Sequence, residues 1–262
     1  MGAPELRVLN DSKELAGEAA ELFVWLGKQV IEQGGRFRVA LSGGSTPRAL
    51  YETLASRPFS ERLDWKRVEF YFGDERCVPP DHPESNFRTA EEALFGPLRI
   101  APERIFRMKG EADPDEAVRQ YEALIRERFG AAPPAWPSFD LILLGLGEDA
   151  HTASLFPGTA ALNEKTRLVV VNQSPKGVKN RLTLTAAAIN QAQTVVFLVS
   201  GAGKAGAVCS VLEEDDGQRG QGVARFPARS IRPVKGRLIW LLDGAAAAGL
   251  TIAKQGIASH EE

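Results

Sequence analysis

The segment Asp140-Leu-Ile-Leu-Leu-Gly-Leu-Gly-Glu-Asp-Ala-His-Thr-Ala-Ser-Leu-Phe-Pro-Gly158 restricts the possible folds of this chain more than any other. Its apolar run, Leu141 to Leu144, is the pattern of a strand buried on both faces, as in a parallel sheet. The run passes directly into a Gly-Leu-Gly turn, and Glu148, Asp149 and His151 follow at once. In open α/β sheets ligands bind beyond the carboxyl ends of the strands, so such a fold places its chemistry here. The chain has only 3 His, and one of them stands at this point with a carboxylate two residues away. His151 is therefore the candidate base. A dinucleotide-binding reading competes, because Gly145-x-Gly147-x-x-Ala150 fits the G-x-G-x-x-G/A pattern after a strand. Glu148 and Asp149 would then repel the pyrophosphate, and Pro157 with Gly158 leaves little room for a helix.

The remainder of the chain alternates helix and strand. Asp11 with Glu14 resembles a capping box, and Leu15, Ala19, Leu22, Phe23, Leu26 and Val30 recur at helical spacing until Gly34-Gly35 ends the helix. Arg38 to Leu41 is an expected strand, followed by Ser42-Gly-Gly-Ser-Thr-Pro47 and a helix through about Leu54. Val68 to Phe72 is the next strand, and helices are expected near Ser85 to Leu94 and from about Asp113 to Phe129. Leu168 to Val171, Thr194 to Val199 and Arg237 to Leu242 are further strands. The Gly- and charge-rich stretch from Glu213 to Arg225 is expected to be a mobile surface loop. The pattern predicts one α/β domain over residues 1–262, with a mostly parallel sheet covered on both faces. A formal charge of -2 and a pI near 6.0 argue against nucleic acid or an anionic membrane as partner. No apolar run is long enough to span a membrane and no signal segment opens the chain, so a cytoplasmic protein is expected. Cys77 and Cys209 make neither a disulfide framework nor a metal spacing.

Three further strand ends carry residues suited to chemistry. Ser42-Gly-Gly-Ser-Thr-Pro47 follows a strand and opens a helix. Gly43 and Gly44 let a ligand approach the backbone, and Ser45 and Thr46 offer hydroxyls and free N–H groups, which makes an anion cradle. The Walker spacing is absent. Ser200-Gly-Ala-Gly-Lys204 repeats the arrangement and adds a cation, and Arg181 is a third candidate. Gly73-Asp-Glu-Arg76 brings Asp74, Glu75 and Arg76 past another strand end, where a salt-bridged loop is the simpler alternative.

Taken in order, Leu41-Ser-Gly-Gly-Ser-Thr-Pro47, Phe72-Gly-Asp-Glu-Arg76, Ser85-Asn-Phe87, the His151 segment, Arg181-Leu-Thr-Leu-Thr185 and Ser200-Gly-Ala-Gly-Lys204 closely resemble the motif series of 6-phosphogluconolactonases. The resemblance spans about residues 36 to 243. It implies a Rossmann-like fold similar to that of glucosamine-6-phosphate deaminases. It also implies hydrolysis of 6-phospho-D-glucono-1,5-lactone to 6-phosphogluconate in the oxidative pentose phosphate pathway. Carried over by motif, His151 would activate water and Arg76 would contact substrate near the lactone. Ser45, Thr46, Arg181 and Lys204 would hold the phosphate, with Gly43, Gly44 and Asp74 lining the site. One departure is Ala150, where the family usually has Gly. Either the backbone needs no positive φ there, or it bears a modest strain.

The chemistry agrees. A δ-lactone is an activated ester, and an imidazole is matched to deprotonating water at cellular pH, a contribution of roughly 10² to 10⁴ in rate. Arg76 or backbone N–H groups can stabilise charge on the carbonyl oxygen; Asp149 either orients His151 or contacts a sugar hydroxyl. No G-x-S-x-G elbow or metal cluster is present, and no cofactor is expected. The expected partner is a small sugar-phosphate lactone, and the oligomeric state is left open. Two alternatives are an amino-sugar-phosphate deaminase or isomerase and a non-enzymatic sugar-phosphate sensor. The deaminase pattern has a Glu supporting its His where this chain has Phe156. For the sensor, no helix-turn-helix segment accompanies the domain.

Overall fold

The computed structural model describes residues 4–213 and 223–251. Its centre is a six-stranded sheet in the order β1-β9-β8-β5-β2-β3, all parallel. The strands are β1 (Glu5–Leu9), β2 (Phe37–Leu41), β3 (Val68–Phe72), β5 (Leu141–Leu144), β8 (Thr194–Val199) and β9 (Arg237–Asp243). The apolar runs are explained by which face each residue meets. Leu141 and Leu143 enter one core with Phe23, Leu50 and Phe70, whereas Ile142 and Leu144 enter the other with Tyr121, Phe197 and Trp240. Two buried faces leave no position for a polar residue.

Helix α1 (Ser12–Glu32) begins where the capping residues place it. The Asp11 carboxylate accepts from the N–H groups of Lys13 and Glu14, and the Glu14 carboxylate accepts from the Asn10 N–H at 2.7 Å. Helix α2 (Ser45–Ala55) packs against α1 on one face. The helix Pro114–Phe129, capped by Asp113, covers the other, where Tyr121 is buried. The expected helix near Ser85 is a short one, Asn86–Ala90, that runs into a wider turn at Glu91–Phe95.

A second sheet stands apart. β4 (Asp74–Arg76), β7 (Asn180–Leu184) and β6 (Val169–Gln173) form an antiparallel three-stranded unit in the order β4-β7-β6. The strand expected near Leu168 belongs to this unit and not to the parallel sheet. The Asp74–Arg76 and Arg181 motifs, considered above only as strand ends or loops, are strands. Among the described residues no helix is long and apolar enough to cross a membrane. The expected loop from Glu213 to Arg225 lies largely outside the described residues.

Candidate active site

The chain order of the parallel sheet reverses between β2 and β5, a topological switch point of the kind at which α/β sheets open a crevice. Three glycine turns leave the carboxyl ends of the adjacent strands β2, β5 and β8, and these bring Gly43 and Gly44, His151, and Lys204 to one place. The antiparallel unit closes the opening from the side. β3 ends at Gly73, whose N–H donates to Leu41 O and whose carbonyl accepts from the Leu184 N–H, both at 2.8 Å. β4 therefore leaves the large sheet and pairs with β7. In that register Arg76 lies directly opposite Arg181.

Two adjoining clefts result, of about 400 and 280 Å³. Asp74, Arg76, Gly147, His151, Ala153 and Lys204 line both. Asp149 and Arg181 line the larger one, and Gly43, Gly44 and Asn86 the smaller. Ser45 and Thr46 occupy the first turn of α2, beside the glycines but not among the lining residues.

His151 is held by its neighbours. Its Nδ1–H donates to Asp149 Oδ1 at 2.5 Å, and its backbone N–H donates to the same oxygen at 3.2 Å. Burial works against the Asp149 charge, but the hydrogen bond and charge of His151 outweigh it, so the carboxyl lies below its ordinary range. With Nδ1 committed to Asp149, Nε2 is the nitrogen left to act as a base. Phe156, itself buried, packs against the imidazole with ring centroids 4.7 Å apart. Gly147 makes this placement possible, because a Cβ there would lie 2.0 Å from His151 Nδ1. Gly43 has the same role toward Asn86, whose Oδ1 would be 1.8 Å from an added Cβ.

Among the described residues the larger cleft is lined by four cations and by three carboxylates, Asp74, Glu148 and Asp149. The cations, Arg76, Lys176, Arg181 and Lys204, are not in ion pairs, and none has a carboxylate of the described residues within 4.0 Å. Arg181 is 8% exposed, and its pKa is pulled down by burial and then by the facing Arg76 charge. Such a set is arranged for an anion.

Known proteins resemble this chain in sequence and in fold. The family model for glucosamine-6-phosphate isomerases/6-phosphogluconolactonase matches residues 10–240. The chain belongs to this family. A 6-phosphogluconolactonase from Nostoc sp. is 39% identical over 250 residues, which cover 94% of this chain and 98% of the relative. The solved 6-phosphogluconolactonase of Trypanosoma cruzi superposes with a TM-score of 0.83 at 30% identity, covering 95% of this chain and 97% of the other. A monomeric glucosamine-6-phosphate deaminase superposes with a TM-score of 0.76 at 24% identity, covering 94% and 99%, and shares the fold.

Several positions of the family motifs gain a physical meaning here. Ala150, where the family usually has Gly, has φ 61°, so of the two possibilities the strained backbone is the one observed. Glu75 is a structural anchor. Its carboxylate accepts from the N–H groups of Arg76, Asn86 and Phe87 at 2.7–2.8 Å and from Ser85 Oγ at 3.1 Å. Burial pushes its pKa up in spite of those bonds. Asp74 accepts from Ser154 Oγ at 2.6 Å and from Asn86 Nδ2 at 3.1 Å, which fixes its orientation at the cleft wall. Asn86, Lys176 and Ser154 were not singled out from the sequence. Asn86 lies in a quoted motif, but its contact with Gly43 joins residues more than forty apart.

Proposed function

We propose that this chain hydrolyses 6-phospho-D-glucono-1,5-lactone to 6-phosphogluconate, a step of the oxidative pentose phosphate pathway, with no cofactor. The observation that carries the reading is the Asp149–His151 pair facing a cleft with unpaired cations. Asp149 holds the imidazole with Nε2 free, and Nε2 takes a proton from water as its oxygen attacks the lactone carbonyl carbon. Negative charge forms on the carbonyl oxygen beside Arg76, which acts as the fixed donor. Collapse breaks the bond to the ring oxygen, and the imidazolium returns its proton to that oxygen. Arg181 and Lys204, with the Gly43-Gly44 turn and the first-turn groups Ser45 and Thr46, hold the phosphate. Asp74 faces the sugar.

The relatives' names support the reaction, and Phe156 argues against deamination. A phenyl ring cannot accept a hydrogen bond from imidazole, and it occupies the place of the supporting Glu of deaminases. The decisive assay is hydrolysis of freshly prepared lactone above its spontaneous rate. His151→Ala should lower kcat by about 10² or more while binding of 6-phosphogluconate stays within a few-fold. Near-normal kcat in that variant, or sustained ammonia release from glucosamine 6-phosphate, would overturn the reading.

A further inference from the structure

Two of the 3 Tyr in the chain make the same contact at two different strand ends. Tyr51, on helix α2, donates from its hydroxyl to Ser42 O at 2.6 Å and accepts from the Ser42 N–H at 3.1 Å. Tyr121, on the helix Pro114–Phe129, accepts from the Phe72 N–H at 2.8 Å. Its proton is shared between Phe72 O at 3.2 Å and Phe106 O at 3.3 Å. Ser42 and Phe72 stand immediately before Gly43 and Gly73, where β2 and β3 give way to the cleft. Both rings are buried, Tyr51 in one core and Tyr121 in the other, and burial raises both phenol pKa values above their ordinary range. Each hydroxyl therefore keeps its proton.

One hydroxyl can donate once and accept twice, so a single Tyr can satisfy both backbone groups of one residue. Ser42 needs this. The pairing of β2 with β3 ends at Leu41 and its pairing with β5 ends at Ala40, yet Ser42 is buried. Tyr51 supplies the partners that the ladders no longer provide. The contact also ties the turn to its own helix. The Ser42-Gly43-Gly44 segment leads into α2, Tyr51 returns from α2 to Ser42, and the Arg48 N–H donates to Gly44 O at 3.1 Å. Gly44 has φ 105°. Both glycines line the smaller cleft, and neither N–H makes a hydrogen bond among the described residues.

We propose that Tyr51 is a positioning residue for phosphate binding. Backbone N–H groups bind a phosphate well only when they converge on it. By holding both backbone groups of Ser42, Tyr51 fixes the direction in which the Gly43 and Gly44 N–H groups meet the anion. Tyr51 has no exposed surface and touches no substrate, so it acts wholly through the turn. This role rests on the reading of the Gly43-Gly44 turn as a holder of the phosphate. Tyr121 is the natural comparison. Its hydroxyl does the same at Phe72, but the chain beyond leads to Asp74–Arg76 and not to the glycine pair.

Tyr51→Phe and Tyr121→Phe each remove one hydroxyl and keep the ring, and both should lower the Tm by similar amounts. Calorimetric titration with inorganic phosphate and with 6-phosphogluconate separates them. Tyr51→Phe should weaken both ligands about ten-fold, whereas Tyr121→Phe should stay within about two-fold of the wild type. In steady-state kinetics Tyr51→Phe should raise KM for the phosphorylated lactone about ten-fold, with kcat held within about three-fold. Tyr51→4-aminophenylalanine keeps a donor for Ser42 O but accepts poorly, so it should unfold less readily and weaken both ligands about three-fold. It carries the test if the Phe variant does not fold, and unmoved affinity there would count against the role. Phosphate affinity is read without turnover, so phosphate binding without lactone hydrolysis would refute the lactonase reading alone. Unchanged phosphate affinity in Tyr51→Phe, an equal loss in Tyr121→Phe, or a fall in kcat with KM unmoved would each overturn the role of Tyr51.

Discussion

Arg62 and Arg181 are the same side chain in opposite electrostatic settings. On the surface, Arg62 makes two parallel bonds of 2.6 Å to the Glu21 carboxylate. In the cleft, Arg181 is buried, faces Arg76 across a strand pair and has no carboxylate within 4.0 Å among the described residues. The first arrangement uses the charge within the fold. The second leaves it without an ion pair, offset only by its Nε bond to Val178 O and by the more distant Asp74, Glu84 and Glu75, which favours a bound anion. Whether a charge is spent on the fold or kept for a ligand distinguishes the surface of this molecule from its site.

The contrast is broken most directly by removing the unspent charges. Lys204→Ala or Arg181→Ala should lower kcat/KM for the phosphorylated lactone by roughly ten-fold or more, since each charge-assisted bond contributes about 1.5–3 kcal/mol. Arg62→Ala should leave kcat/KM unchanged. Steady-state kinetics on the three variants decides it, and equal losses would erase the distinction. Unphosphorylated gluconolactone should be a poor substrate for the wild type and should not discriminate among the variants.

A second consequence concerns stability. At 100 times its Kd, 6-phosphogluconate should stabilise the wild type by about 2.7 kcal/mol, and the same concentration should stabilise Arg181→Ala far less. Thermal melts with and without product measure this. Without product, Arg181→Gln should melt no lower than the wild type, because it relieves the repulsion with Arg76. A large drop would mean that Arg181 is spent on the fold after all.

Carboxylates show the same division. Glu75, with its four donors, belongs to the scaffold, so Glu75→Ala should destabilise by about 1–3 kcal/mol in denaturant unfolding by leaving buried N–H groups unpaired. Loss of activity without loss of stability would instead give Glu75 a role toward substrate.

The smallest effect is expected at Glu164, on the surface. Bonds from the Thr166 backbone and hydroxyl and the Arg167 and Lys165 N–H groups lower its pKa to about 2. A lowered folded-state pKa gives stability that is present above the unfolded value and lost as pH falls through the folded one. The stability gap between wild type and Glu164→Gln should therefore be constant near neutrality and narrow between about pH 4.5 and 2. A gap that widens on acidification would contradict the sign. Being only partly buried at the surface, this carboxylate is screened by solvent and should contribute little in absolute size.

Much of the fold could be read in the chain because its signals are local. Apolar runs such as Leu141 to Leu144, the cap at Asp11 and the glycine turns after β2, β5 and β8 each depend on a few neighbouring residues. β1 and β7 escaped notice because short strands with mixed polarity resemble loops until a partner is paired to them. In the site, His151 and its carboxylate are two residues apart, so both were candidates from the sequence, but only the structure pairs them and leaves the sugar-hydroxyl alternative aside. The role of Glu75 was not, since its partners at Ser85, Asn86 and Phe87 are about ten residues away and are gathered only when β4 meets the following helix.

The sequence by itself determined the parallel α/β architecture, the order of the motifs and the residue types at each strand end, because periodicity, capping and turn chemistry act over a few residues. Only the tertiary structure decided which strand ends share a crevice, that Arg76 faces Arg181, that Asn86 lies over Gly43, and that Ala150 takes a left-handed backbone. Those facts depend on strand order, register and close packing between segments far apart in the chain, and no local pattern of residues encodes them.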